Sequence, residues 1–293
     1  MPQATVAAWT ATPFTEWVSR TGRDVFPWGV AVDAAGNAYT TLQRTHQVML
    51  SDPRGRLFRA WGRQGDSPGL LNRPAGIAIS PDGVLAVAEQ GGSRIALLVA
   101  DGTPVGRFGH HGGGPGELRE PAGLAFGPGG VLTVADRGNH RVQQFGPEGE
   151  FLREWGGEGG AAGRLREPTG VAVDAAGRVF VADFGNDRVQ VFGPEGEPLG
   201  VLGGTGREPG RFAGPAGIAL HPAGLLVVTD RLNGRVQCFD GRGEVVAVVG
   251  EEGRGPGRFR LPTGVALAPD GALLVADCGN NRLQRIAPLR AGL

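Results

Sequence analysis

An aspartate followed five positions later by an arginine occurs four times in this chain: Asp136 and Arg141, Asp183 and Arg188, Asp230 and Arg235, Asp277 and Arg282. Glu89 and Arg94 repeat the spacing with a longer acid, and Asn139, Asn186, Asn233 and Asn280 stand between the partners of the aspartate pairs. A carboxylate beside a guanidinium could tune a proton transfer, so these pairs are the first candidates for chemistry. A catalytic site is normally unique, however, whereas a structural device recurs with the fold. Ion-pair networks often have no catalytic role. The pairs therefore read as loop-to-strand contacts, each contributing about 0–1 kcal/mol if near the surface.

Metal chemistry needs converging histidine, cysteine or carboxylate ligands. The histidines are His46, His110, His111, His140 and His221. His46 and His140 share a repeat position two repeats apart, and all five read as solvated loop residues, so no metal site is expected. Cys238 falls in a strand and Cys278 in a loop; they read as a small core residue and a loop residue, with no disulfide framework. Glycine strings such as residues 250–255 open no helix after a strand, so no nucleotide cofactor is expected. No serine elbow of the G-x-S-x-G type occurs.

What must position any site is a repeat. Pro27, Pro74, Pro121, Pro168, Pro215 and Pro262 lie 47 positions apart, each followed two places later by a glycine, Gly29 to Gly264. In residues 168–214, four apolar runs lie between turn signals: 171–173, 179–182, 189–192 and 198–202. Short runs rich in Val and Phe and bounded by Gly, Pro, Asn and Asp are strands. Four antiparallel strands in a unit of about 40–50 residues make one propeller blade. The first strand is always centred on alanine (Ala31, Ala78, Ala125, Ala172, Ala219, Ala266) between larger apolar residues. A small face and a branched face suit the crowded centre of a propeller.

The fold class expected is thus an all-β, six-bladed propeller filling residues 1–293 as one domain. Residues 1–25 supply a closing strand and lead-in. The last repeat has only three strands, and residues 14–17 look like the fourth-strand pattern of residues 151–155, so the N-terminal strand is expected to join the last blade. Net charge is zero and all 29 basic residues are arginine. A neutral chain has no global attraction to nucleic acid or membrane. No basic start with a long apolar segment, and no apolar run of membrane length, is present, which points to a cytoplasmic protein without a membrane span.

The segments ADRGNHRVQQF, ADFGNDRVQVF and ADCGNNRLQRI, with the P-x-G-V-A-V-D opening, resemble NHL repeats over residues 26–287. The resemblance implies a six-bladed propeller and says less about activity, because such propellers serve as enzymes, RNA binders and protein-binding platforms. The stretch from Pro27 to Val48 is similar to part of the peptidyl-hydroxyglycine amidating lyases, zinc enzymes that carry histidines directly after the repeat proline. Here those positions are Trp28, Ala75, Ala122, Thr169, Ala216 and Thr263. The lyases' catalytic tyrosine corresponds to Arg44, Gly91, Gly138, Gly185, Leu232 or Gly279. Neither set can supply the lyase chemistry. The related lactonases and strictosidine-synthase propellers use acids around the axis, and no such ring is visible.

The function expected is a non-catalytic, monomeric binding platform for protein or peptide. A small-molecule hydrolase or lyase is the alternative. RNA binding through arginines and aromatics (Arg44, Arg137, Arg231 and Phe184) is a further one. Recognition is placed on the face that carries the loop after the second strand and the connection after the fourth. That loop varies on a constant scaffold. After the acid come Gln43, Gln90, Arg137, Phe184, Arg231 and Cys278; three places on come His46, Ser93, His140, Asp187, Gly234 and Asn281. The binding residues expected are Trp28, Arg44, His46, Gln90, Arg137, His140, Phe184 and Arg231. The opposite face carries plain tight turns.

Overall fold

A computed structural model describes residues 9–16 and 24–288. Six four-stranded antiparallel sheets follow one another as blades, and no described helix is long and apolar enough to cross a membrane. Blade 4 is representative: Pro168–Val173, Val179–Asp183, Arg188–Phe192 and Pro198–Gly203 pair in chain order. Blade 6 is composite. Its Pro262–Leu267, Leu273–Asp277 and Arg282–Pro288 are joined by Trp9–Glu16, antiparallel to Arg282–Pro288. Trp17, the end of the closing segment expected from sequence, lies outside the described residues.

The first strands begin earlier than their apolar runs. Pro168 pairs with Asp183, the register slips, and pairing resumes at Val171. The same slip follows Pro27, Pro74, Pro121, Pro215 and Pro262. Each P-x-G triplet is therefore a local irregularity in the ladder, which is where strands tolerate proline and glycine.

The glycine has a second reason. A Cβ on Gly170 would stand 2.3 Å from the carbonyl oxygen of Ala216, and one on Gly217 2.2 Å from that of Thr263. The chain of contacts continues from Gly264 to Trp28, Gly29 to Ala75, Gly76 to Ala122 and Gly123 to Thr169. The six inner strands thus touch in a closed circle, at a separation only glycine permits. Around it, each central alanine shares an apolar cluster with the larger pair of the next blade: Ala31 with Ile77 and Ile79, Ala172 with Ile218 and Leu220, Ala266 with Val30 and Val32. The small-against-large arrangement lets flat sheets converge on an axis.

The connections between blades hold more than their glycine content suggests. Leu71, Leu118, Leu165, Phe212 and Phe259 are buried, one per connection and 47 positions apart. Each is tied by a parallel bridge to the start of its own connection, as in Glu158 with Leu165 and Thr205 with Phe212. The bridge folds the connection back so that its one large side chain enters the space between blades.

Candidate binding face at the upper channel mouth

The loops after the second strands and the connections lie on one face, here called upper. Gly185 N donates to Arg166 O, and Asn186 Nδ2 to Gly159 O, across that face. The acid that opens each loop is its anchor. Asp183 Oδ1 accepts from Arg166 N at 2.7 Å. Its Oδ2 accepts from Arg188 Nε at 2.7 Å, Asn186 Nδ2 at 2.9 Å and Gln190 Nε2 at 3.0 Å. The other nitrogens of Arg188 cap three carbonyls of the preceding connection, those of Gly160, Ala161 and Arg164. The side chain of Asp183 is fully buried, as are those of Asp136, Asp230 and Asp277. The loop-to-strand pairs expected from sequence are thus interior networks, with both oxygens of each buried aspartate engaged within the fold.

Blades 1 and 2 depart from this device. Blade 1 replaces the acid and arginine by Leu42 and Gln47, with Leu42 buried in an apolar cluster. Blade 2 keeps Glu89, which accepts from Asn72 N and Arg94; burial holds its carboxyl above the ordinary range against the pull of Arg94.

His46 and His140 do structural work. Both close their loops in the left-handed region, at φ 58° and 55°. Nδ1 of His46 accepts from Arg73 N at 2.9 Å, and Nδ1 of His140 from Glu167 N at 3.0 Å. Asp187 does the same for Gly214 N and Asn281 for Phe26 N. The donors belong to the residue before each repeat proline, itself left-handed at Phe26, Arg73, Glu167 and Gly214. These are latches between consecutive repeats, and they leave the two histidines partly buried and hydrogen-bonded rather than freely solvated.

The residues directly after the acid stand at one level around the mouth. Gln43 Nε2 donates to Gln90 Oε1 at 2.7 Å. Arg137 pairs with Glu167, with Glu120 at 3.9 Å. The Phe184 ring packs where a Cβ on Gly214 would stand, 2.6 Å away, which explains glycine at a position that elsewhere holds Phe, Arg, Glu or Leu. Arg231 lies over Trp28, its guanidinium carbon 5.3 Å from the ring centre. Cys278 is buried without a disulfide, and burial pushes its thiol up to about 12. Arg44 sits farther out, 4.3 Å over the Phe26 ring and 3.1 Å from Asp24. Of the residues expected to bind, the mouth gathers Trp28, Gln90, Arg137, Phe184 and Arg231. Glu120 and Glu167 were not singled out from sequence, although both precede a repeat proline. Among the described residues no three His, Cys, Asp or Glu side chains converge as metal ligands would.

The NHL repeat pattern matches residues 118–145, 165–192, 212–239 and 259–286. Each match runs from the buried connection residue into the third strand, in the four blades where the Asp–Asn–Arg–Gln network is complete. The chain is a six-bladed propeller with NHL repeats in four of its blades. Blades 1 and 2, which the pattern does not match, are those that rebuilt the network.

A sequence comparison with curated proteins finds no match. Solved structures share the propeller's fold at low identity. A streptogramin B lyase is 15% identical, with 97% of this chain and 99% of that one covered at a TM-score of 0.68. A gluconolactonase from Xanthomonas campestris is 15% identical over 90% and 86%, at 0.69. A structural genomics protein of unknown function from Bacteroides thetaiotaomicron is 15% identical over 96% and 76%, at 0.76. Likeness at this identity establishes the fold and no activity.

Proposed function

We propose that this NHL propeller is a non-catalytic binding platform that takes a protein or peptide ligand at its upper channel mouth. The observation that carries the reading is the contact of Arg231 with the Trp28 ring, with Arg137 and Phe184 at the same loop position in the two preceding blades. Aromatics and arginines on a rigid frame are the side chains that dominate binding energy. The mouth's two nearby acids, Glu120 and Glu167, face Arg137, an arrangement suited to shaping a rim rather than to acid–base chemistry.

Panning a random peptide library on the intact protein tests this. Selected peptides should lose at least about 2 kcal/mol of binding when Trp28, Arg137, Phe184 and Arg231 are replaced by alanine. They should bind normally to a lower-face variant, Ala35→Glu with Ala175→Glu. The reverse pattern overturns the reading. Two structural relatives carry the names lyase and lactonase. A small-molecule lyase or hydrolase is accordingly the second reading, and it is favoured if no peptide is selected and a lactone substrate is turned over.

A further inference from the structure

Two buried nitrogen donors at the upper mouth have no acceptor, Arg231 Nε and Gln90 Nε2. They occupy the same repeat position in blades 5 and 2, on opposite sides of the ring. Gln90 is 5% exposed; its Oε1 accepts from Gln43 while its amide nitrogen remains unpaired. A buried donor left without a partner is destabilising and calls for an explanation.

The charge of Arg231 is equally unmet. Arg44 and Arg137, the other arginines of these loops, each face a carboxylate, as do the strand arginines Arg94, Arg141, Arg188 and Arg235. Among the described residues no carboxylate pairs with Arg231. Burial, with a smaller push from the charge of Arg137, holds its guanidinium below the ordinary value against the opposing pull of the Cys278 sulfur. The fold does not require a cation there, because other blades place Gln43, Phe184 or Cys278 at the same position. An uncompensated, partly buried cation over an aromatic ring is poised for an anion that arrives from solution.

We propose that the ligand of the upper mouth is an acidic peptide, one of whose carboxylates accepts hydrogen bonds from Arg231 above Trp28. The Gln90 amide, buried in the free protein, turns outward so that Nε2 donates to a second acceptor of the same ligand, such as a backbone carbonyl. Glu120 and Glu167 remain engaged with Arg137 and set the rim of the site. This assignment rests on the upper mouth being the binding face.

The test is fluorescence anisotropy at low salt with an end-blocked, fluorescein-labelled triglutamate and the full chain. Triglutamate should bind at least about tenfold tighter than triglutamine, the size of one charge-assisted hydrogen bond. Arg231→Gln should abolish that preference, and Gln90→Leu should weaken triglutamate without abolishing it. Removal of an unpaired cation should leave the melting temperature of Arg231→Gln unchanged or raised; if that variant does not fold, loss of the preference in Arg231→Cys, the residue type blade 6 carries there, decides instead. Equal binding of triglutamate and triglutamine, or a preference that survives Arg231→Gln, overturns the proposal. If library peptides bind in a Trp28-dependent way but triglutamate does not, the acid assignment fails while the binding face stands. Tighter, Arg231-dependent binding of an oligouridylate overturns the peptide assignment in favour of RNA.

Discussion

The guanidinium of Arg231 and the indole of Trp28 meet 5.3 Å apart, although their blades are separated by blade 6. Side chains from blades 1 and 5 therefore meet at the mouth across the intervening blade 6. The counterparts of Trp28 are alanine or threonine, too short for such a contact. One large residue in an otherwise small ring of inner-strand positions makes the opening asymmetric. The fold tolerates this because the inner circle is held by backbone contacts at the glycine below.

That circle makes a sharp prediction. Gly170→Ala would push a methyl to within 2.3 Å of the Ala216 carbonyl, so blade 4 must move from blade 5. We expect a loss of about 1–3 kcal/mol in urea unfolding, the usual range for overpacking. Gly200→Ala, in the outer strand of the same blade, meets nothing within 4 Å and should be neutral or slightly stabilising. Equal effects at the two sites would refute the account of the inner ring.

The interior networks predict non-additivity. Asp183→Leu leaves the largely buried Arg188 without its acid and should cost about 3 kcal/mol. Blade 1 shows that the same loop can be built with Leu42 and Gln47. Adding Arg188→Gln to Asp183→Leu should therefore recover part of the loss. A double-mutant cycle by chemical denaturation measures the coupling, and strict additivity would contradict a shared network.

The His46 latch predicts a pH dependence. Its Nδ1 must stay unprotonated to accept from Arg73 N, and burial with the Arg73 charge lowers its pKa from the usual 6.5. A base that is harder to protonate when folded stabilises the native state fully above its unfolded pKa. That stability is lost as pH falls through the folded value. Asn281 makes the same latch in blade 6 without titrating. His46→Asn should thus match the wild type near pH 8 and lose less stability between pH 7 and 5. An identical pH profile would show that the latch does not titrate.

The repeat was legible because proline and glycine at a fixed spacing are demanded by backbone geometry, and backbone geometry recurs in every blade. Strand order and the two faces followed from it. The burial of Asp183 was not legible, since the carbonyls that Arg188 caps come from a connection 24–28 positions upstream. Leu165 and its equivalents carried a visible 47-residue signal but sat among glycines that suggested a plain linker. At the mouth, residue types marked Trp28 and Arg231 separately. Their contact was hidden, because it crosses a blade that contributes neither side chain.

The central claim, that ligands bind the upper mouth, is tested most directly by hydrogen–deuterium exchange with the tightest library peptide bound. Slowed exchange is expected in the loops at residues 90–93, 137–140, 184–187 and 231–234, with no change in the opposite turns at residues 33–36, 146–149 and 174–177. Protection confined to those lower turns would contradict it.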